Sequence, residues 1–133
     1  EITVFGKACP LFVPLVEEGW TKDPITREVA CRYLAELLEK EIDTLIMGCT
    51  HYPLLRSLLR EILGGRVTLV NPAYETSQAL KRMLADMELE NPGGPGEKYR
   101  FFTSDAAEKF DAFAASILPC QVPPAEQIPI EEY

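Results

Sequence analysis

The chain has no membrane-length apolar run, no recognisable signal peptide and no internal repeat, which argues against a spanning, secreted or repeat protein. Basic residues are outnumbered, 13 against 21 acidic, and the net charge of −8 disfavours nonspecific nucleic-acid binding. Four scattered cysteines do not resemble a disulfide framework, so a reducing cytoplasm fits best. No initiator methionine opens the chain, and residues 2–5 begin at once on a strand-like pattern. A segment of something longer is the expectation. Histidine occurs once.

What is present is enough for a core. The chain has 133 residues, 47% of them apolar, and its charged fraction is ordinary, so one folded domain's worth of structure is expected. Residues 2–5 read as a strand. Residues 6–19, with two prolines and many apolar side chains, read as a largely buried loop with one helical turn. Asp23-Pro24 reads as a helix start, Asp23 capping and Pro24 taking the first helical position. Val29, Ala30, Tyr33, Leu34, Leu37 and Leu38 form the apolar face that follows.

Ile42, Leu45, Ile46 and Met47 read as a short buried parallel strand. Pro53 opens a helix carrying Leu54, Leu55, Leu58, Leu59, Ile62 and Leu63, stopped by Gly64-Gly65. Residues 67–70 form another strand, broken by Asn71-Pro72, and residues 74–88 are helical. Pro92 to Gly96 mark a loop. Aromatic residues 99–103 suggest a strand. Ser104 or Asp105 caps a helix with Ala106, Phe110, Phe113 and Ala114 inward. The proline-rich tail offers Val122 and Ile128 as docking points. Strands alternate with helices, which defines an α/β fold with a mostly parallel sheet flanked by helices.

Between the apolar run and the Pro53 helix stand Gly48, Cys49, Thr50 and His51. The order places a thiol, an imidazole and backbone N–H groups together where a strand delivers the chain to a helix. Ligands bind at that edge of open α/β sheets. A free thiol has a pKa of about 8.5, lowered by a helix N-terminus or an imidazolium. Cys49 is therefore the candidate reactive cysteine and His51 its proton partner. Cys9, Cys31 and Cys120 read as apolar fillers. A metal site at Cys49, His51 and a carboxylate is a weak reading, because paired C-x-x-C spacing is missing. A Cys/His nucleophile for acyl chemistry also stays open.

Two stretches, Ala8-Cys9-Pro10-Leu11-Phe12-Val13-Pro14-Leu15-Val16-Glu17-Glu18-Gly19 and Gly48-Cys49-Thr50-His51-Tyr52-Pro53-Leu54-Leu55, closely resemble the signature segments of bacterial glutamate racemases. The glycine-cysteine-threonine pattern would also fit the wider aspartate/glutamate racemase group; the histidine, tyrosine and proline after it favour glutamate. The resemblance implies a cofactor-independent isomerase that makes D-glutamate for peptidoglycan, with two α/β domains and one cysteine on each face of the substrate carbon. It implies catalytic roles for Cys49, His51 and Glu17, with Thr50 and His51 also binding substrate, and no metal.

The pattern covers only part of that family. The other catalytic cysteine and an early aspartate-serine pair are not found in this sequence, so the resemblance is to the C-terminal half. It implies that residues 1–77 are the later part of the second domain and 78–133 the segment that completes the first. The implied partners are glutamate, the missing N-terminal half and a second copy in a homodimer, without nucleic acid or membrane. An aspartate racemase-type enzyme and a non-catalytic glutamate-binding or interaction fragment are the alternatives.

Overall fold

Local punctuation sets most element boundaries. The computed structural model describes residues 1–93, 99–118 and 120–132, and these divide into two compact units, Glu1–Leu89 and Glu90–Tyr133.

In the first unit, α1 (Phe12–Glu17) precedes α2 (Pro24–Glu39). Asp23 caps α2, its carboxylate accepting from the Ile25 N–H at 2.8 Å, which satisfies one orphan donor of the first turn. Thr26, completely buried, donates its hydroxyl to the Trp20 carbonyl at 2.7 Å. Ala30, Leu34 and Leu37 are buried, one above another along the inward face. Leu38 is exposed and does not belong to that face.

The chain then forms β1 (Thr44–Ile46), a 3₁₀ turn (Tyr52–Leu55), α3 (Arg56–Leu63), a second 3₁₀ turn (Gly64–Arg66), β2 (Thr68–Val70) and α4 (Pro72–Asp86). β1 and β2 pair in parallel, Leu45 opposite Leu69. The strand, α3 and strand form the crossover unit that parallel pairing requires. Gly64, at φ +69°, ends α3 in the left-handed region that favours glycine. Asn71 caps α4 by accepting from Ala73 and Tyr74 N–H groups at 3.1 and 3.4 Å, so this helix starts earlier than residue 74. The core comprises Phe12 and Val16, the inward face of α2, Met47, and Leu55, Leu58, Leu59 and Leu63. Each large side chain so buried contributes about 1.5–3 kcal/mol.

Several expectations change. Residues 2–5 are not a strand, and Ile2 and Val4 are 90% and 84% exposed. Their alternation suits a strand, but a strand needs a bonded neighbour. A groove of about 1010 Å³ is lined by both this segment and residues 42–48. Among the described residues β1 therefore bonds on one side only, to β2. The Asp43 carbonyl accepts from Thr68 N–H at 2.8 Å, and Met47 N–H donates to the Val70 carbonyl at 3.0 Å. Thr44 and Ile46, of the alternate phase, direct backbone groups to the other edge. Ile46 is 64% exposed, where a buried strand was expected. Residues 6–19 are mostly exposed, with Cys9, Phe12 and Val16 turned inward. The apolar side of α4 is open, Leu80, Met83 and Met87 being exposed.

In the second unit, β3 (Phe102–Thr103), α5 (Ala107–Ile117) and β4 (Glu126–Gln127) form another parallel crossover, closed by a 3₁₀ turn (Ile130–Glu132). β4 lies in the tail that had only read as docking points. Ile128 and Val122 are half-buried, and the Ile128 N–H donates to the Thr103 carbonyl at 2.8 Å. Arg100 forks onto the Glu126 carboxylate at 2.9 and 3.1 Å and covers the Phe102 ring. Ala106 occupies the cap position of α5 without a side-chain cap bond; Asp105 instead accepts from the Ala106 N–H at 2.7 Å. Of the expected loop at Pro92 to Gly96, Gly94, Pro95 and Gly96 lie outside the described residues. The 77/78 division implied by the resemblance falls within α4 and concerns a complete two-domain enzyme.

Candidate functional site

Cys49 stands just beyond the end of β1 and is half-buried. The strand does not run on into an extended loop. Gly48 N–H donates back to the Ile46 carbonyl at 3.0 Å, and Cys49 N–H to the Met47 carbonyl at 2.9 Å. These consecutive tight turns bend the chain sharply. They also satisfy N–H groups that the sequence had left available to a ligand.

The turn into the next helix is tighter than expected. Pro53 does sit in its opening positions, but the first residues, Tyr52–Leu55, are 3₁₀ and the α-helix proper begins at Arg56. The aligned peptide dipoles start there, so the helix end does not lie directly against Cys49.

His51 is engaged at both ring nitrogens. Its Nε2 lies 3.3 Å from Glu17 Oε1, and its Nδ1 lies 3.2 Å from Thr50 Oγ1. An ionised carboxylate only accepts, so Nε2 carries the proton that faces Glu17. In the neutral ring Nδ1 then accepts the Thr50 hydroxyl proton; in the imidazolium it donates to the same oxygen. The side chain of His51 is 22% exposed and that of Glu17 59%. Fold geometry thus brings Glu17 and Thr50 onto the ring of His51, two positions along the chain from Cys49.

Glu17 reaches this position because α1 ends there. Gly19, at φ +76°, closes the helix: its N–H donates to the Val16 carbonyl and the Trp20 N–H to the Leu15 carbonyl, both at 2.9 Å. This pair of bonds is the Schellman arrangement, which needs a left-handed residue at the position of Gly19.

Tyr52 is the site neighbour that sequence reasoning passed over. Its hydroxyl donates to the Cys9 carbonyl at 3.1 Å, and its ring meets the Phe12 ring edge-on at 5.3 Å. Burial pushes the Tyr52 phenol pKa up, with further contributions from Cys9 and Cys49. Cys9 is buried, and that burial raises its thiol pKa against the opposing charge of Lys7. Cys31 and Cys120 are exposed, so neither is a core filler. Among the described residues no group of three or more His, Cys, Asp or Glu is placed to hold a metal. No described helix is long and apolar enough to cross a membrane.

An α/β chain presenting a cysteine, a threonine and a carboxylate-backed histidine beyond a parallel strand is similar to the amino-acid racemases, a class of isomerases. Within that class the similarity is to glutamate racemases, and the match is consistent with their C-terminal half. The glutamate racemase of Syntrophus aciditrophicus is 40% identical over 128 residues, 96% of this chain and 47% of that protein. That of Thermoanaerobacter sp. (strain X514) is 42% identical over 132 residues, 99% and 50% of the respective chains. The crystal structure of glutamate racemase from Francisella tularensis in complex with D-glutamate superposes with a TM-score of 0.88 at 33% identity, over 99% of this chain and 49% of that one. The enzyme from Thermus thermophilus, in complex with beta-chloro-D-alanine, gives 0.84 at 38% identity, over 96% and 48%. The chain spans about half the length of these relatives. No protein-family model matches it.

Proposed function

We propose that this chain supplies one side of a glutamate racemase active site. The observation that carries the reading is the placement of Glu17 Oε1 3.3 Å from His51 Nε2, on the loop that also carries Cys49 and Thr50. In this reading the Cys49 thiolate removes the α-proton from one enantiomer of glutamate, leaving a carbanion and a neutral thiol. A second thiol, on the opposite face, donates a proton to give the other enantiomer and becomes the thiolate. His51 takes and returns the Cys49 proton, Glu17 stabilises the imidazolium, and Thr50 helps hold the substrate. The second cysteine comes from the half of the enzyme that this chain does not span, and a homodimer is the proposed assembly. D-glutamate for peptidoglycan, made in the cytoplasm, is the corresponding biological role. The reaction on these groups uses no cofactor.

The half-length span favours one other reading for the chain by itself: a fragment that binds glutamate, or interacts with the rest of the enzyme, without catalysing inversion. Proton NMR of L- and D-glutamate in heavy water separates the two. Exchange of the α-proton of a single enantiomer, lost in Cys49→Ala and unaccompanied by inversion, supports a one-sided racemase site. Glutamate binding without exchange favours the binding fragment. Exchange of aspartate in preference to glutamate would move the assignment to an aspartate racemase-type enzyme.

A further inference from the structure

We propose that Tyr52 is a positioning residue that holds Glu17 against His51. Two segments distant in sequence meet at this place, residues 9–17 and residues 48–55, and two polar side-chain contacts tie them together. One is the Glu17–His51 pair at 3.3 Å. The other is Tyr52, next to His51 in the chain, whose hydroxyl donates to the Cys9 carbonyl at 3.1 Å.

That carbonyl is the acceptor on which α1 begins, since the Phe12 N–H also donates to it at 3.1 Å. The Phe12 ring, 2% exposed, makes edge contacts with both Tyr52 and Tyr33, with centroids 5.3 Å apart in each case. Tyr33 adds a bond at the same helix start, its hydroxyl accepting from the Leu11 N–H at 3.3 Å. The start of α1 is thereby fixed to the loop that carries His51. Gly19 fixes its other end. Glu17, between these anchors, is mostly exposed and makes a long ion pair, a contact too weak to orient a helix by itself. A pair joined at one point can swivel; the second point defines its geometry. The raised phenol pKa of Tyr52, to which burial, Cys9 and Cys49 all contribute, agrees with a protonated hydroxyl acting as the donor.

The catalytic consequence rests on the racemase reading, but the contact can be measured without turnover. His51 is the only histidine, so its ring nitrogens give unambiguous ¹⁵N NMR signals. The experiment compares the wild type, Glu17→Gln, Tyr52→Phe and the double variant of the whole chain. Glu17→Gln is expected to displace the Nε2 signal. In the Tyr52→Phe background the same substitution should displace it by less than half as much. Tyr52→Phe keeps the ring and removes only the hydroxyl, and unchanged amide signals from α2 and α5 confirm that the chain remains folded. An undiminished Glu17→Gln effect in the Tyr52→Phe background overturns the proposal. Should Tyr52→Phe not fold, Phe12→Leu tests the same anchor by the same signal, with the same two outcomes. Absence of α-proton exchange would count against the racemase reading and leave this measurement intact.

Discussion

Glu17, the last residue of α1, and His51 are separated in sequence by the whole of α2 and by β1, yet their side chains meet at 3.3 Å. The pair is partly exposed, so its value to stability is small, about 0–1 kcal/mol. Its value to proton transfer is larger in the proposed reaction. His51→Asn is expected to reduce α-proton exchange by about 10²-fold or more, the usual size of a general acid–base contribution. Glu17→Gln should cost a smaller factor, because the imidazole stays in place but loses the charge behind it. Rates measured by NMR in heavy water, together with urea unfolding, check both halves of this expectation. Loss of stability in step with rate would assign Glu17 a structural role instead.

The four thiols should label in an order that exposure alone does not give. Cys31 and Cys120 are exposed, Cys49 is half-buried and Cys9 is buried with a raised pKa. Cys9 is expected to react slowest with iodoacetamide at pH 7, since both access and thiolate fraction are reduced. Cys49, if paired with His51, should outpace the more accessible Cys31, and His51→Asn should remove that advantage. Peptide mass spectrometry of a labelling time course reads the order directly. Labelling in simple order of exposure would count against an activated Cys49.

Helix ends offer changes of opposite sign. Glu88, at φ +56°, occupies the same position after α4 that Gly19 occupies after α1: its N–H donates to the Ala85 carbonyl, and the Leu89 N–H to the Leu84 carbonyl. A side chain in the left-handed region costs about 1–2 kcal/mol. Glu88→Gly should raise unfolding stability by about 0.5–1 kcal/mol, part of that relief being offset by glycine's extra freedom in the unfolded chain. Gly19→Ala should lower stability by about 1 kcal/mol or more. Apart from its chain neighbours, no described heavy atom would lie within 4 Å of the added methyl, so the penalty is one of backbone conformation, not of crowding. Urea melts of the two variants test the pair.

Alkaline pH should destabilise the fold through two acids whose pKa values burial raises, the buried Cys9 and the half-buried Tyr52. The folded-state pKa values of Cys9 and Tyr52 are raised above their ordinary values of 9.0 and 10.0. A raised folded value means that the folded state keeps its proton longer than the unfolded one. The associated stability is fully present below pH 9.0 and is lost as pH rises toward the folded values. Cys9→Ser removes the first of these ionisations. Its stability curve should be flatter than that of the wild type as pH rises above 9.0. The exposed Lys7–Glu36 pair behaves differently. The bond to Glu36 raises the Lys7 pKa, and the bond to Lys7 lowers that of Glu36, so their mutual contribution persists between pH 4.5 and 10.5. It fades only when Glu36 protonates below that range or Lys7 deprotonates above it.

Elements with local punctuation were legible in the sequence. Asp23 and Pro24 start α2 and Gly64 ends α3, each through bonds within a few residues. Asn71 and Pro72 read only as a strand break, although the Asn71 side chain caps α4 and Pro72 opens it. The positions of Cys49, Thr50 and His51 beyond a parallel strand could be read for the same reason. What depended on distant partners could not. Residues 2–5 have strand composition but no ladder, whereas Glu126 and Gln127 have little strand propensity and are held by β3. Tyr52 bonds a carbonyl 43 positions away in sequence, and no periodicity announces such a contact. Its place beside His51 was the available signal. Glu88 in a position suited to glycine was hidden because the sequence there looks like ordinary helix.

Among the described residues β1 has a hydrogen-bonded neighbour on one side, and the loop holding Cys49 follows its end. Strands secured along one edge open more readily than those clasped along both, and whatever is mounted on them shares the opening. Site precision and sheet completeness are therefore the same quantity seen at two scales. Slower amide exchange at Thr44 and Ile46 would be accompanied by a better defined thiol. In this architecture the readiness of the chemistry is set by how firmly the strand behind it is held.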